Sequence, residues 1–121
     1  MTNAALTDEN MACLYGSLRR LLHDQRSGII RSVAGDAGFD LGLIPDGIVN
    51  GGIQRAPILS AIDGQWCMWE RDRQERTLPR LADALARDAG IIEVNGRILK
   101  CGFKFENGGF VPVNAAGEIP A

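Results

Sequence analysis

Very little in this chain is suited to catalysis. Its 121 residues include one histidine and three cysteines. Cys13, Cys67 and Cys101 are widely spaced and form no CxxC, which excludes a zinc knuckle and a thioredoxin-type redox motif. A structural zinc site would have to rest on carboxylates, against the metal's preference for thiolate and imidazole. No Gly-Lys-Ser/Thr occurs, and Asn50-Gly51-Gly52 does not follow a strand, so both phosphate-cradling patterns fail and a connecting loop is expected there. No run approaches the roughly 18 apolar residues of a membrane span. Positive charge is not in excess either. The formal net charge of −2 disfavours non-specific nucleic-acid binding by bulk charge. Met1 to Asn10 is polar and acidic, without the charged-then-apolar pattern of a leader. A cytoplasmic protein with three reduced, mostly buried thiols is the expectation.

What is present suits one ordinary globular domain over residues 1–121. Apolar residues make up 45% and charged residues 23%, and a domain of this size buries roughly two-thirds of its unfolded surface. The fifteen glycines are about 12% of the chain, above the usual ~7%.

Helical spacing dominates the first 90 residues. Met11, Leu14, Tyr15, Leu18, Leu21 and Leu22 draw one apolar stripe on a helix from Thr7 to about Gln25, with Thr7 as N-cap. Gly16 weakens that helix, and a packing reason is expected for it. Ser27 is read as the cap of a second helix, with Ile29, Ile30, Val33, Ala34 and Ala37 inward and Gly38 as its stop. Asp40 caps one short turn through Leu41 and Leu43, closed by Pro45-Asp46-Gly47. A third helix starts near Ala56, carries Ile58, Leu59, Ile62, Trp66 and Trp69, and is open to a kink at Gly64. Glu70 to Arg76 reads as a solvated tail of mixed charge. Thr77 then caps a last helix, with Pro79 in its first turn and Gly90 at its end.

Beyond Gly90 the pattern shifts to period two. Ile91 to Val94, Asn95-Gly96, Arg97 to Phe105, Asn107-Gly108 and Phe110-Val111 read as a three-stranded antiparallel meander, with Pro112 marking an edge. The expected fold class is α+β and mostly helical. A four- to five-helix bundle over about 7–90 precedes the meander over about 91–113, and residues 114–121 form a frayed tail.

The residues offer no assembled reaction centre. His23 sits in an Arg-rich helix end, where positive charge suits the dipole, and Asp36 and Asp40 read as solvent-facing carboxylates or caps. Neither Cys13 nor Cys67 has a nucleophile context. DNA binding has more substance. Val33 to Phe39 resembles the first helix and turn of a helix-turn-helix, with Ala34, Gly38 and Ile44 in fitting positions and Arg97 to Phe110 as a wing. Arg31, Arg19 and Arg20 would then meet phosphates. Against it, Gly42 and Pro45 interrupt the recognition helix, and Asp40 to Asp46 has no Arg, Lys, Asn or Gln to read bases.

Two polar clusters can serve association instead. One is the basic end of the first helix: Arg19, Arg20, His23 and Arg26. The other is Glu70, Arg71, Asp72, Arg73, Glu75 and Arg76. Trp66, Met68 and Trp69 resemble a binding hot spot. One tryptophan is expected in the core, and Trp69, beside the charged run, is the expected anchor.

Leu18-Arg19-Arg20-Leu21-Leu22, Val33 to Leu41, Asn50-Gly51-Gly52-Ile53, Ile58 to Trp69-Glu70 and Leu78 to Ala86 follow one another in an order that resembles the bacterial effector-associated domains. The likeness spans about 70 residues. The extra charged residues before Thr77 and everything from Ile91 onward depart from that pattern. The resemblance implies a death-like helical bundle and a non-catalytic adaptor without cofactor or metal. Its partner would be a similar module, or a second copy. Such modules pair with like modules fused to proteases, nucleases or nucleotide-sensing ATPases in bacterial conflict systems. A DNA-binding regulator is the second reading.

Overall fold

The computed structural model describes residues 6–42, 48–49, 52–53 and 56–119. Five α-helices dominate: α1 (Asp8–His23), α2 (Ser27–Ala37), α3 (Ala56–Met68), α4 (Arg71–Ala89) and α5 (Ile91–Ile98). A 3-10 turn, Leu99–Cys101, extends α5. Two small antiparallel pairs complete the fold: β1 (Ile48–Val49) with β2 (Gly52–Ile53), and β3 (Phe103–Glu106) with β4 (Gly109–Pro112). The fold is mostly helical α+β. Among the described residues, no helix is long and apolar enough to cross a membrane.

The helix α1 starts where the sequence signals it. Thr7 Oγ1 accepts a hydrogen bond from the Asn10 N–H at 3.1 Å, and Asp8 and Glu9 meet the positive end of the dipole. Met11, Leu14, Leu18, Leu21 and Leu22 are buried. Gly16 has no packing reason: it is exposed, and an added Cβ would touch nothing within 4 Å. Arg26, not Ser27, occupies the N-cap position of α2. Gly38 ends that helix at φ 107°, a left-handed conformation glycine adopts without strain. Asp40 caps the next turn by accepting from the Gly42 N–H at 3.1 Å. Leu43, Ile44 and Pro45-Asp46-Gly47 lie outside the described residues, as does Asn50-Gly51. Gly52, the one described residue of the expected Asn50-Gly51-Gly52 loop, opens β2, which pairs with β1.

The long helix α4 is the hub, packing against α1, α2 and α5. It begins at Arg71, so the charged run forms its first turns rather than a tail. Arg, Glu and Gln all sit well in helices, and no glycine interrupts them. Thr77 is therefore interior. Its hydroxyl donates to the Arg73 carbonyl at 2.7 Å, and the residue is buried. Pro79 lies inside the helix and withholds the N–H that would have met the Glu75 carbonyl. The helix α3 runs unbroken through Gly64.

The main correction falls after Gly90. Residues 91–98 are helix, and three strands become two. Ile91, Val94, Asn95 and Ile98 also fit helical steps, and burying Val94 and Ile98 against α1 and α4 decides the outcome. Asn107-Gly108 is a hairpin turn as expected, with φ 51° and 80°. Phe103, Phe105 and Phe110 seal that end of the core, and Phe105 and Phe110 are 5.4 Å apart. Asn95 docks the hairpin on α5. Its Oδ1 accepts from the Phe105 N–H at 2.7 Å, and its Nδ2 donates to the Phe105 carbonyl at 3.4 Å. Within the stretch expected to be a frayed tail, residues 114–118 form a turn, with the Asn114 side chain accepting from the Ala116 and Glu118 N–H groups.

The cysteines also depart from expectation. Cys13 and Cys101 form a disulfide across 88 positions, with Cα atoms 5.8 Å apart. It ties α1 to the 3-10 turn. The chain lacks a CxxC, but the fold brings distant thiols together, which spacing does not reveal. Cys67 is free and exposed.

Candidate interaction surface

The corner between α3 and α4 is built from Trp66 to Arg76. The Trp69 N–H still bonds the Gln65 and Trp66 carbonyls, and Glu70 then turns extended and opens α4. Gln74 locks the corner by donating to the Trp66 carbonyl at 2.7 Å. Trp66 is the buried tryptophan and stacks on Tyr15 of α1 at 4.1 Å. Trp69 is half-buried, stacks on Phe39 at 4.6 Å, and carries the Arg73 guanidinium 4.1 Å from its ring centroid. Such a cation–π contact contributes about 0.5–1 kcal/mol at an exposed site.

Met68 stands beside this stack with 85% of its surface exposed. Met68, Trp69, Glu70, Asp72, Arg73 and Arg76 line a hollow of about 350 Å³. A second hollow, of about 440 Å³, adjoins it between Asp72, Glu75, Arg76 and Pro79. The result is an apolar shelf bordered by both signs of charge. Arg71 points away, donating to the Leu6 carbonyl and pairing with Asp8 at 3.4 Å.

The basic cluster is a separate place. Arg71 ties the Met68–Arg76 corner to the start of α1, whereas Arg20, His23 and Arg26 lie at and beyond its far end. Asp8 to His23 spans about 22 Å at 1.5 Å per residue. Arg20, His23 and Arg26 are exposed, and His23 Nδ1 lies 3.6 Å from Asp24 Oδ1. Arg19 is committed to structure. Its Nε and Nη2 clamp the two Asp63 oxygens at 3.0 Å each, and the Tyr15 hydroxyl donates to the same carboxylate at 2.6 Å. Burial, then the hydrogen bond to Asp63, pushes the Tyr15 phenol well above its ordinary range. Asp63 escaped the sequence reading. Its one signal is that it is the only charged residue in α3.

A third polar group joins α5 to the end of α1. Arg97 pairs with Asp24 at 2.8 Å and with Glu93 at 3.1 Å. The Arg97 hydrogen bond, with a smaller contribution from His23, holds the Asp24 carboxyl below its ordinary value. Among the described residues, no group of three or more His, Cys, Asp or Glu side chains is placed to hold a metal ion.

Of the helix-turn-helix expectation, α2 with its left-handed Gly38 stop and the 103–112 hairpin are present, while residues 43–47 of the recognition segment lie outside the described residues. Leu41 and Gly42 are not helical. Arg97 belongs to α5 rather than a wing, and Arg31 donates to the Leu41 carbonyl at 3.0 Å. No protein-family model, curated protein or solved structure matches the chain.

Proposed function

We propose that the protein is a non-catalytic adaptor that binds a helical module of another protein through the Met68–Arg76 corner. The observation that carries this reading is Met68, almost wholly exposed, beside the Trp69–Arg73 stack and its hollow. A long flexible thioether next to a held aromatic gives an apolar anchor. Glu70, Asp72, Arg73 and Arg76 around it supply charges of both signs, which select an orientation and reject like-charged partners. A partner face of the same mixed character would be complementary to it, in keeping with pairing between similar modules. The resemblance to the effector-associated domains implies the same kind of pairing, and with it a role in a bacterial conflict or signalling system as part of this proposal.

The test is titration calorimetry against helical modules encoded beside this chain. Met68→Asp and Arg73→Glu are expected to weaken a binding partner about tenfold or more, with far-ultraviolet circular dichroism unchanged. Equal affinity of both folded variants would overturn the assignment of this surface. For the DNA reading, the measurement is duplex titration at low salt, where this proposal expects no binding.

A further inference from the structure

The outward face of α5 carries an apolar stripe that the fold leaves uncovered. Ile92 is 87% exposed and Leu99 36%. They stand seven positions apart, with Gly96 between them, so the three share one side of the helix. Val94 and Ile98 turn to the core on the opposite side. Gly96 is open, and an added Cβ would meet nothing within 4 Å. Glycine weakens a helix interior, and here it leaves room for another backbone to come close. Beside it lies a hollow of about 490 Å³, lined by Gly96, Leu99, Lys100, Gly102 and Val113 among others. The stripe thus holds a projecting side chain at one end and a recess at the other.

We propose that this face binds a second copy of the chain, with the two α5 helices antiparallel about a two-fold axis near Gly96. In that register Ile92 of each copy meets Leu99 and the recess of the other, satisfying the self-complementarity an isologous contact requires. Charge fixes the direction. Glu93 and Lys100 lie on the same flank of the stripe, near opposite ends. An antiparallel two-fold brings Glu93 of one copy beside Lys100 of the other, twice, whereas a parallel pair places these flanks on opposite sides. Lys100 is exposed and makes no ion pair among the described residues. The face is confined to one eight-residue helix and the 3-10 turn that extends it, so the proposed dimer is a weak one. It is also separate from the Met68–Arg76 corner. That corner adjoins the start of α4 and α5 follows its end, about 28 Å apart along 19 residues.

Sedimentation equilibrium of the full chain over a wide concentration range tests this. A monomer–dimer equilibrium is expected. Ile92→Asp should raise the dissociation constant about tenfold or more. Gly96→Gln should weaken the dimer while raising thermal stability, which separates blocked docking from unfolding. Glu93→Lys and Lys100→Glu should each weaken association several-fold, and the double exchange should restore it. Met68→Asp should leave it unchanged. A monomer at every concentration, a dimer indifferent to Gly96→Gln, or a charge exchange without rescue would overturn the proposal.

Discussion

Reduction of the Cys13–Cys101 bond is the most informative single perturbation of the fold. The bond closes a loop of 88 positions. Chain-entropy reasoning assigns a closure of that size about 4–5 kcal/mol, acting through the unfolded ensemble. Unfolding entropy scales at about 2.1 cal/mol/K per residue, so 121 residues give about 0.25 kcal/mol/K. The midpoint should therefore fall by about 15–20 °C on reduction. The native fold should survive, because α5 is also held by Val94 and Ile98 in the core and by the Arg97–Asp24 pair. The assay is thermal circular dichroism with and without a dithiol reductant, repeated on Cys13→Ala/Cys101→Ala. The double variant should start at the reduced midpoint and ignore the reductant. Without reductant the unfolded chain should show one titratable thiol, the Cys67 thiol already exposed in the fold. Three thiols, or a midpoint that the reductant leaves in place, would refute the reasoning.

Three further outcomes are expected. Gly16→Ala should stabilise the chain by up to about 1 kcal/mol in urea unfolding, since the site is helical, exposed and open. Tyr15 is the only tyrosine, so ultraviolet titration should show its phenol ionising well above its ordinary value of 10.0. A pKa raised in the folded state means stability that is present below 10.0 and lost as pH rises above it. Asp63→Asn should lower this phenol's pKa and shrink that alkaline loss. Asp24 has the opposite sign. Its pKa is depressed by Arg97, so its contribution is present above the ordinary 3.8 and lost as pH falls below it. Arg97→Gln should flatten that part of the acid limb, followed as midpoint against pH.

The helical half of the fold was legible because its signals agree. In α1 the cap, the first-turn acids and the apolar stripe all point to one helix. After Gly90 they conflict. Asn95-Gly96 between aliphatic residues satisfies the hairpin template, while Val94 and Ile98 satisfy the helical one. Only the space between α1 and α4 settles which is used, and no local pattern contains that space. Asn107-Gly108 had no such rival, and its turn is where the sequence places it. Thr77-Leu78-Pro79 misled for a related reason: a Thr-x-Pro start signal is real chemistry, but a helix already running from Arg71 passes through it. At the candidate surface, Trp69 was chosen because charges adjoin it, yet its stacking on Phe39 needs two segments 30 positions apart. The Asp63 clamp and the disulfide are likewise products of chain return and have no sequence pattern of their own.

The Asn95 amide has a consequence for self-recognition of another kind. A lone two-stranded sheet offers two open edges, each able to recruit a foreign strand. Here the side chain takes the N–H and C=O of Phe105 on the outer edge of β3 as a neighbouring strand would. On β4 the ladder register turns Phe110 and Pro112 outward, and Pro112 has no N–H to give. One edge is occupied, and the other keeps the Phe110 N–H but lacks a donor at Pro112. The hairpin is thus a poor template for cross-β growth although three phenylalanines sit within ten residues of each other. The cover of its edges rests on one amide and one imino ring at opposite margins. Loss of the amide, for example in Asn95→Leu, would unmask an aromatic-rich strand edge and turn a sealing element into a seed.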